Sequence, residues 1–287
     1  MSCLRVARRS IKLDLVGDTF MNSLRSIRCI LKLLLSYVPH TIAKKIIRLL
    51  MESQGLGSGA RVQTSGELNA IRHSFRRKKG NALTIFDVGA NRGEYSIALS
   101  SLFPTARIYA FEPSPSTFKL LVNEVLDVSQ IDAVNIGFGN ENETTSLYKE
   151  NSIARIASLT ELEVTNPEFT ERVSIRRLDD YLKDAEIQRI DLLKIDVEGH
   201  EWDVLQGAAS TLKSGKVLSI QFEFGEFNID TRILFRTIFR FLKKAGYTVF
   251  LIQPHGLARI DSYDPIYEYF ASTNFLAVLT IKLDEIF

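Results

Sequence analysis

Three clusters of residues in this 287-residue chain are of a type and spacing that could do chemistry. The first is Asp87-Val88-Gly89-Ala90-Asn91-Arg92-Gly93, a carboxylate followed by a turn with two glycines. The second is Glu112. The third is Asp196-Val197-Glu198-Gly199-His200, two carboxylates and an imidazole in one short turn. Glycine has no Cβ and tolerates positive φ, so the first turn lets backbone N–H groups approach a ligand closely. The helix that follows adds further donors at its N-terminus. Nicotinamide enzymes use such a turn as G-x-G-x-x-G, where the glycines admit a pyrophosphate. Here Asn91 holds the middle glycine position and Asp87 precedes the turn. A carboxylate there repels a pyrophosphate and suits an ammonium or sulfonium cation. S-adenosylmethionine carries both, with a carboxylate for the backbone donors. Glu112 can accept hydrogen bonds from ribose hydroxyls in either class, so it points to adenosine without choosing between the two. Each acid alone is also explained as a strand-end carboxylate that caps a helix. Asp87, Gly89, Gly93 and Glu112 in register are harder to explain that way.

In the third cluster His200 has a reference pKa of about 6.5, suited to taking a proton from a hydroxyl near neutrality. Asp196 could orient that hydroxyl or balance a sulfonium charge, and Glu198 could orient His200. The plain alternative for His200 is a histidine at a helix start with no proton to move. Asp196, Glu198 and Glu226 are oxygen ligands of the kind Mg²⁺ accepts. The spacing is not specific for a metal, and none is expected. Trp202, Phe224 and Phe227 could stack on a sugar ring or simply pack the core.

These residues need an alternating scaffold. Leu83–Val88 is a strand, then comes a helix over Glu94–Phe103 and a strand over Arg107–Phe111. Ser114 and Pro115 are a favoured cap and first-turn pair for a helix reaching about Asp127. A third strand covers Ala133–Ile136. Alternation of this kind predicts a parallel sheet with helices on both faces. Thr145–Lys149 and Arg172–Leu178 read as short strands of an inserted excursion, facing substrate or forming a hairpin on one rim. Ile190–Val197 is a buried strand. A helix follows over Trp202–Leu212, then a strand over Val217–Phe224 and an amphipathic helix over Thr231–Ala245. Tyr247–Gln253 and Asn274–Lys282 close the sheet, the last strand antiparallel to its predecessor. Residues 254–273 form a long loop, either a lid or an ordinary packed loop.

Composition bounds the rest. Hydrophobic residues make up 45% and charged residues 24%, which predicts a packed core. A net charge of +2 speaks against a dedicated nucleic-acid binder. Cys3 and Cys29 form no metal or disulfide pattern, so a reducing cytoplasmic setting is expected. No apolar run reaches the roughly 20 residues of a membrane span. Residues 1–50 are strongly basic, with apolar residues at helical spacing before and after Pro39. They read as a helical cap on the main domain, a peripheral membrane contact at the inner face of a membrane, or a targeting segment. The Gly- and Ser-rich Gln54–Gly66 reads as a linker. The expected division is a basic helical extension over 1–80 and a catalytic domain over 81–287.

Five blocks carry a resemblance: FDVGANRGEYS, FEPSPSTF, RRLDDYL, LLKIDVEGHEWDVLQGA and FEFGEFNID. They resemble the FkbM-type family of S-adenosylmethionine-dependent methyltransferases from about Asn81 to the C-terminus. The resemblance implies a Rossmann-like class I α/β sheet, mostly parallel with a last antiparallel strand. It implies cofactor contacts at Asp87, Gly89, Asn91 and Gly93, ribose contact at Glu112, and adenine near Ile136 and Gly137. It places the turn of Asp196, Glu198 and His200 towards the methyl group. The implied reaction is O-methylation of a hydroxyl on a sugar, glycolipid or secondary metabolite, so the partner is a small-molecule or glycan acceptor. The competing readings are an NAD(P)-dependent oxidoreductase and a non-catalytic membrane-associated protein.

Overall fold

The computed structural model describes residues 32, 35–59, 65–78, 82–149, 157–158 and 169–286. The chain divides into two compact units, Met1–Leu50 and Met51–Phe287. Ile27, Ile30, Leu31 and Leu34 of the basic segment lie outside the described residues, as do Cys3 and Cys29. Helix α1, His40–Ser53, buries none of its residues. Helix α2, Glu67–Ser74, lies in the second unit, ahead of the boundary expected at residue 80. Its Ala70 and Ile71, with Phe75, pack in one core cluster with Leu83, Leu99 and Phe103.

Strands and helices then alternate: β1 (Thr84–Val88), α3 (Glu94–Leu102), β2 (Arg107–Phe111), α4 (Pro115–Val125) and β3 (Ile131–Val134). Ser114 caps α4 as expected, its Oγ accepting from the Thr117 N–H at 3.2 Å. The inserted stretch is a second sheet. It contains β4 (Gly137–Phe138), β5 (Glu143–Lys149), β6 (Ala157–Ser158) and β7 (Phe169–Arg176), in the order β4-β7-β5-β6. Leu178 opens helix α5 (Leu178–Asp184) instead of ending a strand, because Leu178 and Leu182 bury one helical face. Then follow β8 (Ile190–Ile195), α6 (Glu201–Gly207), α7 (Ala209–Lys213) and β9 (Val217–Phe224). Next come α8 (Phe227–Asp230), α9 (Phe235–Lys244), β10 (Tyr247–Gln253), β11 (Gly256–Ile260) and β12 (Thr273–Leu279), followed by a short last helix, α10 (Leu283–Ile286). Strand β11 falls in the stretch expected to be a loop. It is a half-exposed edge strand with little apolar alternation to announce it. The rest of that loop is packed: Tyr267 lies 5.6 Å from Phe235 and Phe270 lies 5.2 Å from Phe224, centroid to centroid.

The main sheet has the order β11-β10-β12-β9-β8-β1-β2-β3. Strands β9, β8, β1, β2 and β3 run parallel, and β12 is antiparallel to both its neighbours, β9 and β10. Strand order reverses between β1 and β8, and open α/β sheets bind ligands in the crevice at such a point. Each strand feeds two cores by its period of two. Phe86 and Val88 belong to one core cluster and Ile85 to the other; Leu193 and Ile195 belong to the first and Leu192 to the second.

Candidate active site

The turn after β1 is locked to its neighbours by backbone. The Gly89 and Ala90 N–H groups both donate to Phe111 O, at 3.0 and 2.9 Å. The Asn91 N–H donates to Glu112 Oε2 at 3.0 Å, and the Gly93 N–H to Ala90 O at 2.8 Å. The turn is expected to offer these donors to a ligand; instead the Gly89, Ala90 and Asn91 donors join β1 to the end of β2, and the Gly93 donor closes the turn itself. Gly89 is required for a different reason. Its φ is 84°, and a Cβ there would sit 1.9 Å from Asp196 O, so the tips of β1 and β8 touch only through a glycine. Gly93, at φ 84°, begins α3 and faces Leu121 of α4.

A cavity opens at this crossing, with about 840 Å³ of space including its open mouth. Val88, Gly89, Asn91 and Glu112 form one part of its wall; Asp196, Glu198 and His200 form another. The apolar remainder includes Pro113, Gly137, Phe138, Leu147 and Ile175. The second sheet therefore roofs the pocket through Leu147 and Ile175. A Cβ on Gly137 would meet Ile175 Cδ1 at 2.7 Å, so the two sheets close tightly at this point. Ile136 packs against the core, and Phe138 takes a place in the wall. Glu112 is buried and receives the Asn91 N–H on Oε2 and the Ser114 N–H on Oε1. A carboxylate has about four acceptor sites, so further donors can still be met.

The acidic turn after β8 is built by residues the sequence reading did not single out. Buried Glu201 accepts the Val197 and Gly199 N–H groups on Oε1, each at 3.2 Å, and Asn228 Nδ2 donates to its Oε2 at 3.3 Å. Gly199 has φ 100° and Glu198 φ 52°, so the chain makes two left-handed residues here. His200 Nδ1 lies 3.0 Å from Asp203 Oδ2. Asp203 thus takes the orienting role expected of Glu198. Acceptance by Asp203 fixes the Nδ1–H tautomer and leaves Nε2 as the basic nitrogen. Burial, then Asp196 and Glu201, push the Glu198 carboxyl up to about 8.

Asp87 faces away from this cavity. It shares its sheet face with Ile85, and a smaller cavity there is lined by Asp87, Tyr95 and Lys194, with Gly89, Asn91 and Asp196 common to both. Asp87, Lys194 and Gln221 are direct cross-strand neighbours on β1, β8 and β9. Ser96 Oγ donates to Asp87 at 2.6 Å, and Lys194 Nζ donates to Asp196 at 2.7 Å. Gln221 Nε2 donates to Glu67 at 2.9 Å, and its Oε1 accepts from Tyr95 Oη at 2.5 Å. Asn274 Nδ2 also donates to Glu67, at 2.5 Å. Burial pushes the Asp87 carboxyl up, opposed by Lys194 and Ser96. Burial works against the Lys194 charge, but Asp196, Glu67 and Asp87 outweigh it and hold its pKa above the usual lysine range.

The sequence carried signals for some of these. A lysine inside the apolar run Leu192–Ile195 is an informative exception, and its two-residue spacing from Asp196 puts both on one face. Asp203 stands one helical turn from His200. Glu67 gave none, because its partners lie 154 and 207 residues away. Among the described residues no group of three or more His, Cys, Asp or Glu is arranged to hold a metal ion.

The family profile described as Methyltransferase FkbM domain matches residues 87–249, more than half of the chain. The chain belongs to the FkbM methyltransferase family. Methyltransferase 1 of Beauveria bassiana is 30% identical over 142 residues, 43% of this chain and 57% of that protein. Hexuronic acid methyltransferase AglP of Haloferax volcanii is 28% identical over 49% of this chain and 56% of its own length. 2-O-methyltransferase NoeI of Sinorhizobium fredii is 24% identical over 48% of this chain and 62% of its own length. The chain thus spans somewhat over half the length of these relatives. FkbM domains depend on S-adenosylmethionine, and the donor set here fits it. An apolar slot stands beside a buried carboxylate, and acidic side chains on two strand tips can face a cation. The RRLDDYL block of the FkbM resemblance has a structural role: Asp179 accepts the Ser210 and Thr211 N–H groups at 3.1 and 2.8 Å, capping α7.

Proposed function

We propose that this FkbM domain is an O-methyltransferase acting on a hydroxyl of a sugar or a sugar-bearing metabolite. The observation that carries the reading is the single cavity whose wall joins the Gly89–Asn91 turn and Glu112 to Asp196, Glu198 and His200. Glu112 would hold the ribose, and Gly137, Phe138, Leu147 and Ile175 the adenine; Asp196, and Asp87 in the smaller adjoining cavity, would face the charged amino-acid end. When bound, S-adenosylmethionine supplies an electrophilic methyl group on a sulfonium. The chain's own residues align the acceptor and manage its proton. A hydroxyl is a weak nucleophile while protonated, and a positioned base typically adds about 10²–10⁴-fold. His200 is that base, its ring held by Asp203. Glu198 lines the same wall, and with its carboxyl pushed up to about 8 by burial it would keep a proton near neutrality with which to hydrogen-bond the acceptor oxygen. Alignment itself can contribute about 7–11 kcal/mol.

The names of AglP and NoeI, a hexuronic acid methyltransferase and a 2-O-methyltransferase, support a sugar hydroxyl as acceptor. The test is incubation of the purified chain with methyl-labelled S-adenosylmethionine and a panel of uronic acids, sugars and glycolipids. Label stable to base and located on a hydroxyl oxygen of the sugar supports the reading. Label found only on carboxyl, nitrogen or carbon would falsify it.

A further inference from the structure

The proposed chemistry makes no use of α1, whose surface is sharply two-sided. Ile42, Ile46 and Leu49, spaced i, i+4, i+7, are 50%, 46% and 65% exposed. They form one stripe along the helix; Lys44 and Arg48 project from the opposite arc, and Lys45 stands at the edge of the stripe beside Leu49. Charge is divided along the sequence in the same sense. Residues 1–50 hold 10 of the 36 Lys and Arg and 2 of the 34 Asp and Glu, a net +8. The remaining residues carry a net −6.

We propose that α1 is an interfacial anchor that holds the chain on an anionic bilayer surface. An apolar stripe seeks an apolar medium, and the basic arc beside it seeks negative charge; an anionic lipid interface supplies both along one helix. A nucleic acid would meet only the basic arc and leave the isoleucines in water. A second copy would bring one +8 segment against another. No described helix is long and apolar enough to cross a membrane, so α1 lies in the plane of the interface.

Flotation of the full chain tests this, with vesicles of phosphatidylcholine alone or mixed with phosphatidylglycerol. The chain floats with the mixed vesicles and not with phosphatidylcholine alone. Raising salt from about 0.1 M to about 1 M shortens the screening length from about 10 to 3 Å and releases it. Lys44→Glu with Lys45→Glu lowers partitioning by at least about thirtyfold. Ile46→Ser with Leu49→Ser lowers it by at least about tenfold. Both variants retain wild-type heat with S-adenosylhomocysteine, which shows that they fold and separates this result from the methyltransferase reading. The proposal is overturned if the wild type stays at the bottom with both vesicle types. It is also overturned if the charge-reversed variant floats as well as the wild type, or if the segment binds RNA or self-associates without binding vesicles.

Discussion

At the scale of single residues, the account turns on which charges are met inside the protein. His200 is oriented by Asp203, so the two substitutions separate base from orienter. His200→Ala should lower kcat by about 10²–10⁴-fold with S-adenosylhomocysteine affinity unchanged. Asp203→Asn should give a smaller loss and shift the pH profile of kcat, read on the labelled acceptor. Glu198 makes a stability prediction of definite sign. Its carboxyl moves from an ordinary 4.5 to about 8 on folding, so the unfolded state releases the proton first as pH rises. The stability it permits is full below about pH 4.5 and is lost as pH climbs through about 8. Glu198→Gln should therefore melt higher than the wild type above pH 8, the difference vanishing towards pH 5. Equal melting at pH 9 would reject the assignment. Lys194→Met strands Glu67 and Asp87 without their central cation. Breaking a buried pair in this way costs about 3–5 kcal/mol, measurable by chemical denaturation.

At the scale of elements, legibility followed the range of the interactions. β2 and β9 stand where the apolar runs put them, and β1 is one residue shorter, because buried parallel strands read as continuous Val, Ile, Leu and Phe. The β1 turn and the acidic turn stood out in the sequence because each combines glycine and carboxylates within a few residues, and both line the cavity. What those turns do with their donors was not legible. The Gly89 and Ala90 N–H groups go to Phe111, a partner set by strand pairing and not by local sequence. The inserted stretch reads as an excursion facing substrate or a hairpin on one rim, but the sequence does not tell which of its residues meet the cavity, since Leu147 and Ile175 reach it only after β5 and β7 pair in the second sheet. That sheet also holds α4: Glu171 of β7 accepts the Ser116 N–H at 2.9 Å and the Ser114 hydroxyl. Glu171→Ala removes a cap supplied from another element. It should destabilise by about 0.5–2 kcal/mol, with S-adenosylhomocysteine affinity weakened because Glu112 and Ser114 share a loop.

At the scale of the whole molecule, a strand-order reversal between β1 and β8 makes the crevice, and two carboxylate-bearing turns meet there through Gly89. The polar row from Asp87 to Gln221 reaches Glu67 on α2, so a helix ahead of the FkbM match joins the buried polar network behind the cleft. The central claim is that this cleft was built for a cationic adenosine cofactor and not for a dinucleotide. Isothermal calorimetry with S-adenosylhomocysteine and, separately, with NAD tests it most directly, on the wild type and on Glu112→Ala. The account predicts saturable heat with S-adenosylhomocysteine, loss of that heat in Glu112→Ala, and none with NAD. Saturable binding of NAD with no heat from S-adenosylhomocysteine would contradict it.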